Sequence, residues 1–118
     1  MSFFAQQEFD SPDAPGSGGR MSTQFIEVLN RIRREAGIPF VITSGFRTVA
    51  HNTASGGSRN SAHLRGLAVD IRAVSGSARH RIVRAAMLNG IRRIGIASNF
   101  VHLDIDDSLP NPSIWTYQ

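Results

Sequence analysis

An α+β domain is predicted, with a small, mostly antiparallel sheet and two main helices packed on one of its faces. Three observations predict it. Residues 22–36 and 77–88 carry apolar side chains at helical spacing. Short β-branched or alternating runs at 39–43, 67–72, 93–97 and 100–105 read as strands. The resulting order is helix, strand, strand, helix, strand, strand, which lacks the strict alternation of a parallel α/β fold.

Each element has its own warrant. Phe3, Phe4 and Phe9 mark residues 1–10 as a strap laid on the core, and residues 11–19 (SPDAPGSGG) are dense in turn formers. In the first helix Phe25, Val28, Leu29, Ile32 and Ala36 share a face, Ser22 is the expected N-cap, and Gly37 followed by Pro39 supplies the stop. Residues 44–61 form a long excursion rich in Gly, Ser and Asn, with a helical turn near 49–53. In the next strand Leu67, Val69 and Ile71 face one way and Ala68, Asp70 and Arg72 the other. The second helix turns Ile82, Ala85 and Ala86 inward and ends at Asn89-Gly90. A hairpin around Ser98-Asn99 joins the last two strands, and residues 106–118, with two prolines and the single Trp115, read as a tail. Residues 1–118 thus make one expected domain, with 1–21 as N-terminal strap and loop.

Composition narrows the function. A chain of 118 residues with 41% hydrophobic and 19% charged residues can bury a core of its own. With no cysteine, disulfides and thiolate metal sites are excluded, so any metal rests on imidazole and carboxylate. No apolar run is long enough to span a bilayer, and the first residues lack a secretory pattern. The expectation is a monomer with no membrane or nucleic-acid partner. It would be made in the cytoplasm without a signal peptide, and any work outside, at the cell wall, would need another route out, such as lysis. The net charge is +4, carried by 13 scattered arginines and no lysine, which reads as a solvated surface.

The residues with chemistry cluster late in the chain. Alternation places His102 and Asp104 on the face opposite Val101, Leu103 and Ile105, about 7 Å apart along the strand. Asp70 likewise opposes an apolar face, and His63 sits in the loop before it. If the two strands are neighbours, a histidine and two carboxylates converge on one side of the sheet, and the loop bearing His63 could fold back over it to give two imidazoles, one carboxylate and an open fourth position. That arrangement suits catalytic zinc, which activates water for attack on a carbonyl. Spacing alone weighs equally for a metal site and for ordinary surface or core polar residues. His51 and His80 are read as surface or core residues.

Residues 61–70 (SAHLRGLAVD) resemble the S-x-H-x-x-G-x-A-x-D signature of zinc D-Ala-D-Ala carboxypeptidases. Residues 44–47 (SGFR) are similar to that family's S-G-[YF]-R element, and residues 100–104 (FVHLD) resemble its closing strand. The resemblance spans roughly half the chain, and the phage-type short branch is the nearest form. It implies a Hedgehog/DD-peptidase fold and hydrolysis of peptidoglycan stem peptides, as carboxypeptidase or endopeptidase. It implies one Zn2+ held by His63, Asp70 and His102, and Arg47 on a substrate carboxylate or the developing oxyanion. It also implies Ser61 as a small polar residue near the metal, and Gly66 allowing close approach of His63 and Asp70. Many relatives carry an acidic base three residues before the last histidine ligand, where this chain has Asn99. Asp104 is the remaining candidate, either as proton shuttle or as the acceptor that fixes an imidazole tautomer. The rival readings are a metal-containing wall- or peptide-binding module of the same fold, and an arginine-rich nucleic-acid binder.

Overall fold

The computed structural model describes residues 2–117; Met1, where the expected strap begins, and Gln118, at the end of the expected tail, lie outside it. Helix α1 (Thr23–Ala36) forms where the periodicity places it. The Ser22 hydroxyl accepts from the Phe25 N–H at 3.2 Å, and Gly37 closes the helix in the left-handed region at φ 71°. Phe25, Leu29, Ile32 and Ala36 are buried, and each large side chain among them contributes about 1.5–3 kcal/mol. Val28 packs against the same core but stays half-buried. Helix α3 (Gly76–Leu88) begins one residue earlier than expected, because Ser75 caps it by accepting from Ala78 N–H.

Strands β1 (Ile42–Ser44), β2 (Ala68–Arg72), β3 (Arg93–Ile96), β4 (Phe100–Asp104) and β5 (Ser113–Thr116) form one sheet in the order β1-β2-β4-β3-β5. All pairs are antiparallel except β3–β5. Val69, Ile71, Ile94, Val101 and Leu103 fill the space beneath α1 and α3. The sheet's other face is left for polar residues.

Three expectations are corrected. The first strand is shifted toward the loop, because Phe40 turns into the core and β1 pairs with β2 only from Ile42, with a register irregularity before Ser44. The expected tail holds β5, which the flanking prolines and an exposed Ile114 conceal in the sequence. The strap is pinned at Phe9, which is 1% exposed, whereas Phe3 lies outside under Arg33, whose guanidinium carbon sits 4.9 Å from the ring centroid. Residues 49–53 do form a helical turn, within α2 (Val49–Ala54).

Candidate metal centre

Strand register builds the site. Ser44 pairs with Asp70, Asp70 with His102, His102 with Gly95, and Gly95 with Trp115, so one row of side chains crosses all five strands on the polar face. The next row carries Asp104 opposite Arg93. Neighbours in such rows are close enough to touch. His63 reaches the same point from a short 3-10 helix, Ala62–Arg65. Together these residues floor a cavity of about 650 Å³ that Arg47 and Ser61 also line.

His63, Asp70 and His102 each offer a ligand atom within 4.8 Å of the other two, and all three are buried. The Asp70 Oδ1 lies 2.9 Å from His102 Nδ1 and 3.4 Å from His63 Nε2. Tetrahedral ligands at about 2.1 Å from an ion stand about 3.4 Å apart, so the set needs little adjustment to fit one. The outer hydrogen bonds agree. His63 Nδ1 is 2.8 Å from the Gly45 carbonyl, which only accepts, so Nδ1 carries the proton and Nε2 keeps its lone pair for the centre. His102 Nε2 donates to Asp104 Oδ2 at 2.7 Å, which leaves Nδ1 facing the centre. The residues present fit a divalent ion of the zinc type in donor chemistry and in spacing.

Electrostatics make the same point. Burial raises the Asp70 carboxyl, but the adjoining His102 and His63 rings outweigh it and hold its pKa well below 3.8. Burial lowers His102, yet hydrogen bonds to Asp104 and Asp70 outweigh it and raise its pKa above 6.5. Without metal, protonation of His102 places an imidazolium between two carboxylates, with the proton where a ligand bond would form. The signs follow by linkage. Asp70 stabilises the metal-free fold above pH 3.8, and this is lost as pH falls through its depressed pKa. His102 stabilises it fully below pH 6.5, and this is lost as pH rises through its raised pKa. Zinc must displace that proton. The rise in melting temperature on adding zinc is therefore expected to be larger at pH 7.5 than at pH 5.5, and an equal or larger rise at pH 5.5 would refute the competition.

The segment 44–47 holds His63 by both its ring and its backbone. The Gly45 carbonyl accepts from the His63 ring, and Arg47 N–H donates to the His63 carbonyl at 3.1 Å. A side chain on Gly45 would meet the Phe9 backbone at 2.8 Å, so only glycine lets this loop lie against the strap. The strap holds the loop on both sides of Arg47: Phe46 N–H donates to the Phe9 carbonyl, and Thr48 N–H to the Ser11 hydroxyl. The Arg47 guanidinium donates through Nε to Ser44 Oγ at 2.9 Å and through one terminal nitrogen to Asn52 Oδ1 at 3.2 Å. Its other terminal nitrogen stands 3.5 Å from Asp70 Oδ2.

Ser61 caps the 3-10 helix by accepting from His63 N–H at 3.2 Å. Gly66 does a different job from the expected one: at φ 69° it ends that helix and abuts the backbone of Arg20 and Met21. Asp104 is 1% exposed, and both of its oxygens are occupied. Oδ2 takes His102, while Oδ1 accepts from Arg93 Nε at 2.8 Å and from Asp106 N–H at 3.1 Å. Asn99 is exposed on the β3–β4 turn and lines a separate depression with Thr43 and Arg72. His51 and His80 lie outside the cluster.

Sequence reasoning did not find Asn52, Arg93, Trp115 or Tyr117. Asn52 is 3% exposed and its amide donates to the Ser58 carbonyl, which leaves its oxygen for Arg47. Trp115 and Tyr117 line the cavity from β5 and the residue just past it. Trp115 sits 5.4 Å from the His102 ring centroid, with the Arg93 guanidinium carbon 4.7 Å over its own ring. The sole tryptophan of a chain is a signal, but only the β3–β5 pairing gives it a place. Gly95 makes that place: a Cβ there would meet Trp115 Nε1 at 2.6 Å and Tyr117 Cε2 at 2.8 Å. Gly95→Ala is expected to cost about 1–3 kcal/mol by overpacking and to shift the emission of the single tryptophan. An unchanged spectrum and melting temperature would show that Trp115 does not rest there.

Comparison with known proteins now bears on this geometry. No curated protein matches the chain. A family model described as Peptidase M15 matches residues 4–104, a span that holds the strap, the 44–47 loop, His63, Asp70, His102 and Asp104 but not β5. By that match over most of its length, the chain belongs to the peptidase M15 family, hydrolases that act on peptides.

Proposed function

We propose that the protein is a zinc peptidase that cuts peptide bonds in bacterial peptidoglycan stem peptides, in phage lysis or wall remodelling. The observation that carries this reading is the buried His63, Asp70 and His102 triangle at the floor of an open cavity, with an arginine beside it. His63 Nε2, a carboxylate oxygen of Asp70 and His102 Nδ1 would hold the ion. A bound zinc ion would supply Lewis acidity and a lowered pKa for water at the site.

The chain's own residues do the rest. Gly45 and Asp104 orient the two imidazoles, so His63 Nε2 and, once its proton has left, His102 Nδ1 present lone pairs inward. Arg47, clamped by Ser44 and Asn52, keeps N–H donors free for a substrate carboxylate or for the carbonyl oxygen on which charge develops. Of the two roles open to Asp104, the hydrogen bonds favour the holding one, because both oxygens of this buried carboxylate are already engaged by His102, Arg93 and the Asp106 N–H. Asp104→Asn is then expected to weaken zinc affinity about 10–100-fold, with activity restored by excess zinc. Unchanged affinity with a fall confined to kcat would instead assign Asp104 the proton shuttle.

A second reading has one observation in its favour. Position 99 is an asparagine turned away from the cavity, so no carboxylate stands there as base. The non-catalytic binding module of the same fold predicts wall binding without turnover. Purified peptidoglycan incubated with the zinc-loaded protein separates the two. The peptidase releases muropeptides whose masses reveal one hydrolysed bond, with one zinc per chain by elemental analysis. Stoichiometric binding to an unaltered wall would replace it with the module.

A further inference from the structure

We propose that the outer face of α3 docks on the surface of an anionic phospholipid bilayer. Residues 71–103 contain six arginines and no aspartate or glutamate, and of the six only Arg93 is paired with a carboxylate among the described residues. Three of these arginines, Arg79, Arg81 and Arg84, lie on α3. Among the described residues, no carboxylate stands within ion-pair distance of them. Arg79 is tethered by donating to the Ser98 carbonyl at 2.7 Å, while Arg81 and Arg84 are exposed. Glu35 of α1 is the acid that lines the neighbouring depression.

The same helix is apolar on two sides. Ile82, Ala85 and Ala86 are fully buried against the sheet. Met87 and Leu88 fall on the outward side, 51% and 58% exposed, beside Val83, which is half-buried against the core; these three form one apolar group. With Arg79, Arg84 and Ile96 they line a shallow apolar groove of about 560 Å³ between α3 and β3. A helix in a small domain needs one apolar stripe for its core, and folding does not explain exposed Met87 and Leu88 beside arginines that have no carboxylate partner. Apolar side chains at the acyl boundary with guanidinium groups among phosphates is the chemistry of a helix lying in a membrane interface. Arginine stems add to the buried apolar area while their heads stay at the phosphates. No helix among the described residues is long and apolar enough to cross a membrane, so this contact is peripheral. Because α3 covers the apolar face of the sheet and the cavity opens on the other, docking leaves the cavity free.

The test is co-sedimentation of the zinc-loaded protein with vesicles of phosphatidylcholine containing about one-third phosphatidylglycerol. Binding is expected to these vesicles and not to pure phosphatidylcholine. Arg81→Glu with Arg84→Glu, and separately Met87→Ser with Leu88→Ser, are each expected to weaken it at least about tenfold. The substituted side chains are exposed, and unchanged melting temperatures confirm intact variants. His63→Ala is expected to bind vesicles as the wild type does, so loss of the peptidase reading would leave this one standing. Equal binding to both vesicle types overturns the proposal. So does full retention by the Met87/Leu88 variant, which would mean charge adsorption alone. Binding of an acidic amphipathic peptide with no binding to vesicles would make the face a protein-docking site instead.

Discussion

His63→Ala is expected to reduce wall-peptide hydrolysis to below about one-thousandth of the wild-type rate, a loss of about 4 kcal/mol or more in transition-state stabilisation. Zinc content should fall with it. His63 is 3% exposed, and its ring is spent entirely on two tasks, donating to the Gly45 carbonyl and offering Nε2 to the centre. Alanine performs neither. The remaining pair, Asp70 and His102, offers an ion only one carboxylate and one imidazole, and His102 stays hydrogen-bonded between Asp70 and Asp104. The variant also strands the Gly45 carbonyl, which costs about 1–3 kcal/mol if no water replaces the ring. The melting temperature must therefore be read beside the rate. Complete chelation of the wild type should match the variant in rate while leaving the fold formed. Wild-type turnover in either preparation would show that the centre is not the reacting site.

The sequence carried parts of this site very unevenly, and the reason is range. Alternation is a local signal, so it sufficed to put His102 with Asp104 and to oppose Asp70 to Val69 and Ile71. Helix α1 was legible because Ser22 and Gly37 bracket a single clean apolar stripe. Pairing between strands is not local. Arg93 reaches Asp104 only because β3 runs antiparallel to β4 in one particular register, and one residue of slip would turn it to the other face. Trp115 was illegible for the same reason, compounded by a parallel pairing across sixteen intervening residues that no turn signal announces. The loop 44–47 shows the limit of motif reading most plainly. Its likeness to a known element marked Arg47, but the grip on His63 is made by the backbone of Gly45 and Arg47, which no side-chain pattern records.

Arg47→Lys should lower kcat about 100- to 1,000-fold while one zinc stays bound per chain. The guanidinium is placed by a fork: Nε is fixed by Ser44, one terminal nitrogen by Asn52, and the other stands beside Asp70. Those restraints aim the remaining N–H bonds into the cavity before any substrate arrives, which is how a donor stabilises developing charge without reorganising. Lysine keeps the charge but has a single nitrogen, so it can satisfy the clamp or the substrate and not both. Charge alone near Asp70 is thereby preserved, which separates two jobs that the geometry combines. If Arg47 serves mainly to neutralise Asp70, lysine will keep most of the activity, and a neutral Arg47→Met will lose zinc together with rate. If it serves the substrate, both variants will bind zinc normally and both will be slow. Asn52→Ala offers the internal check, because it touches neither metal nor cavity charge; it loosens the fork and also frees the Ser58 carbonyl, so the melting temperature is read beside the rate. A fall in kcat there, with zinc affinity unchanged, ties the rate to the aim of the guanidinium rather than to its presence.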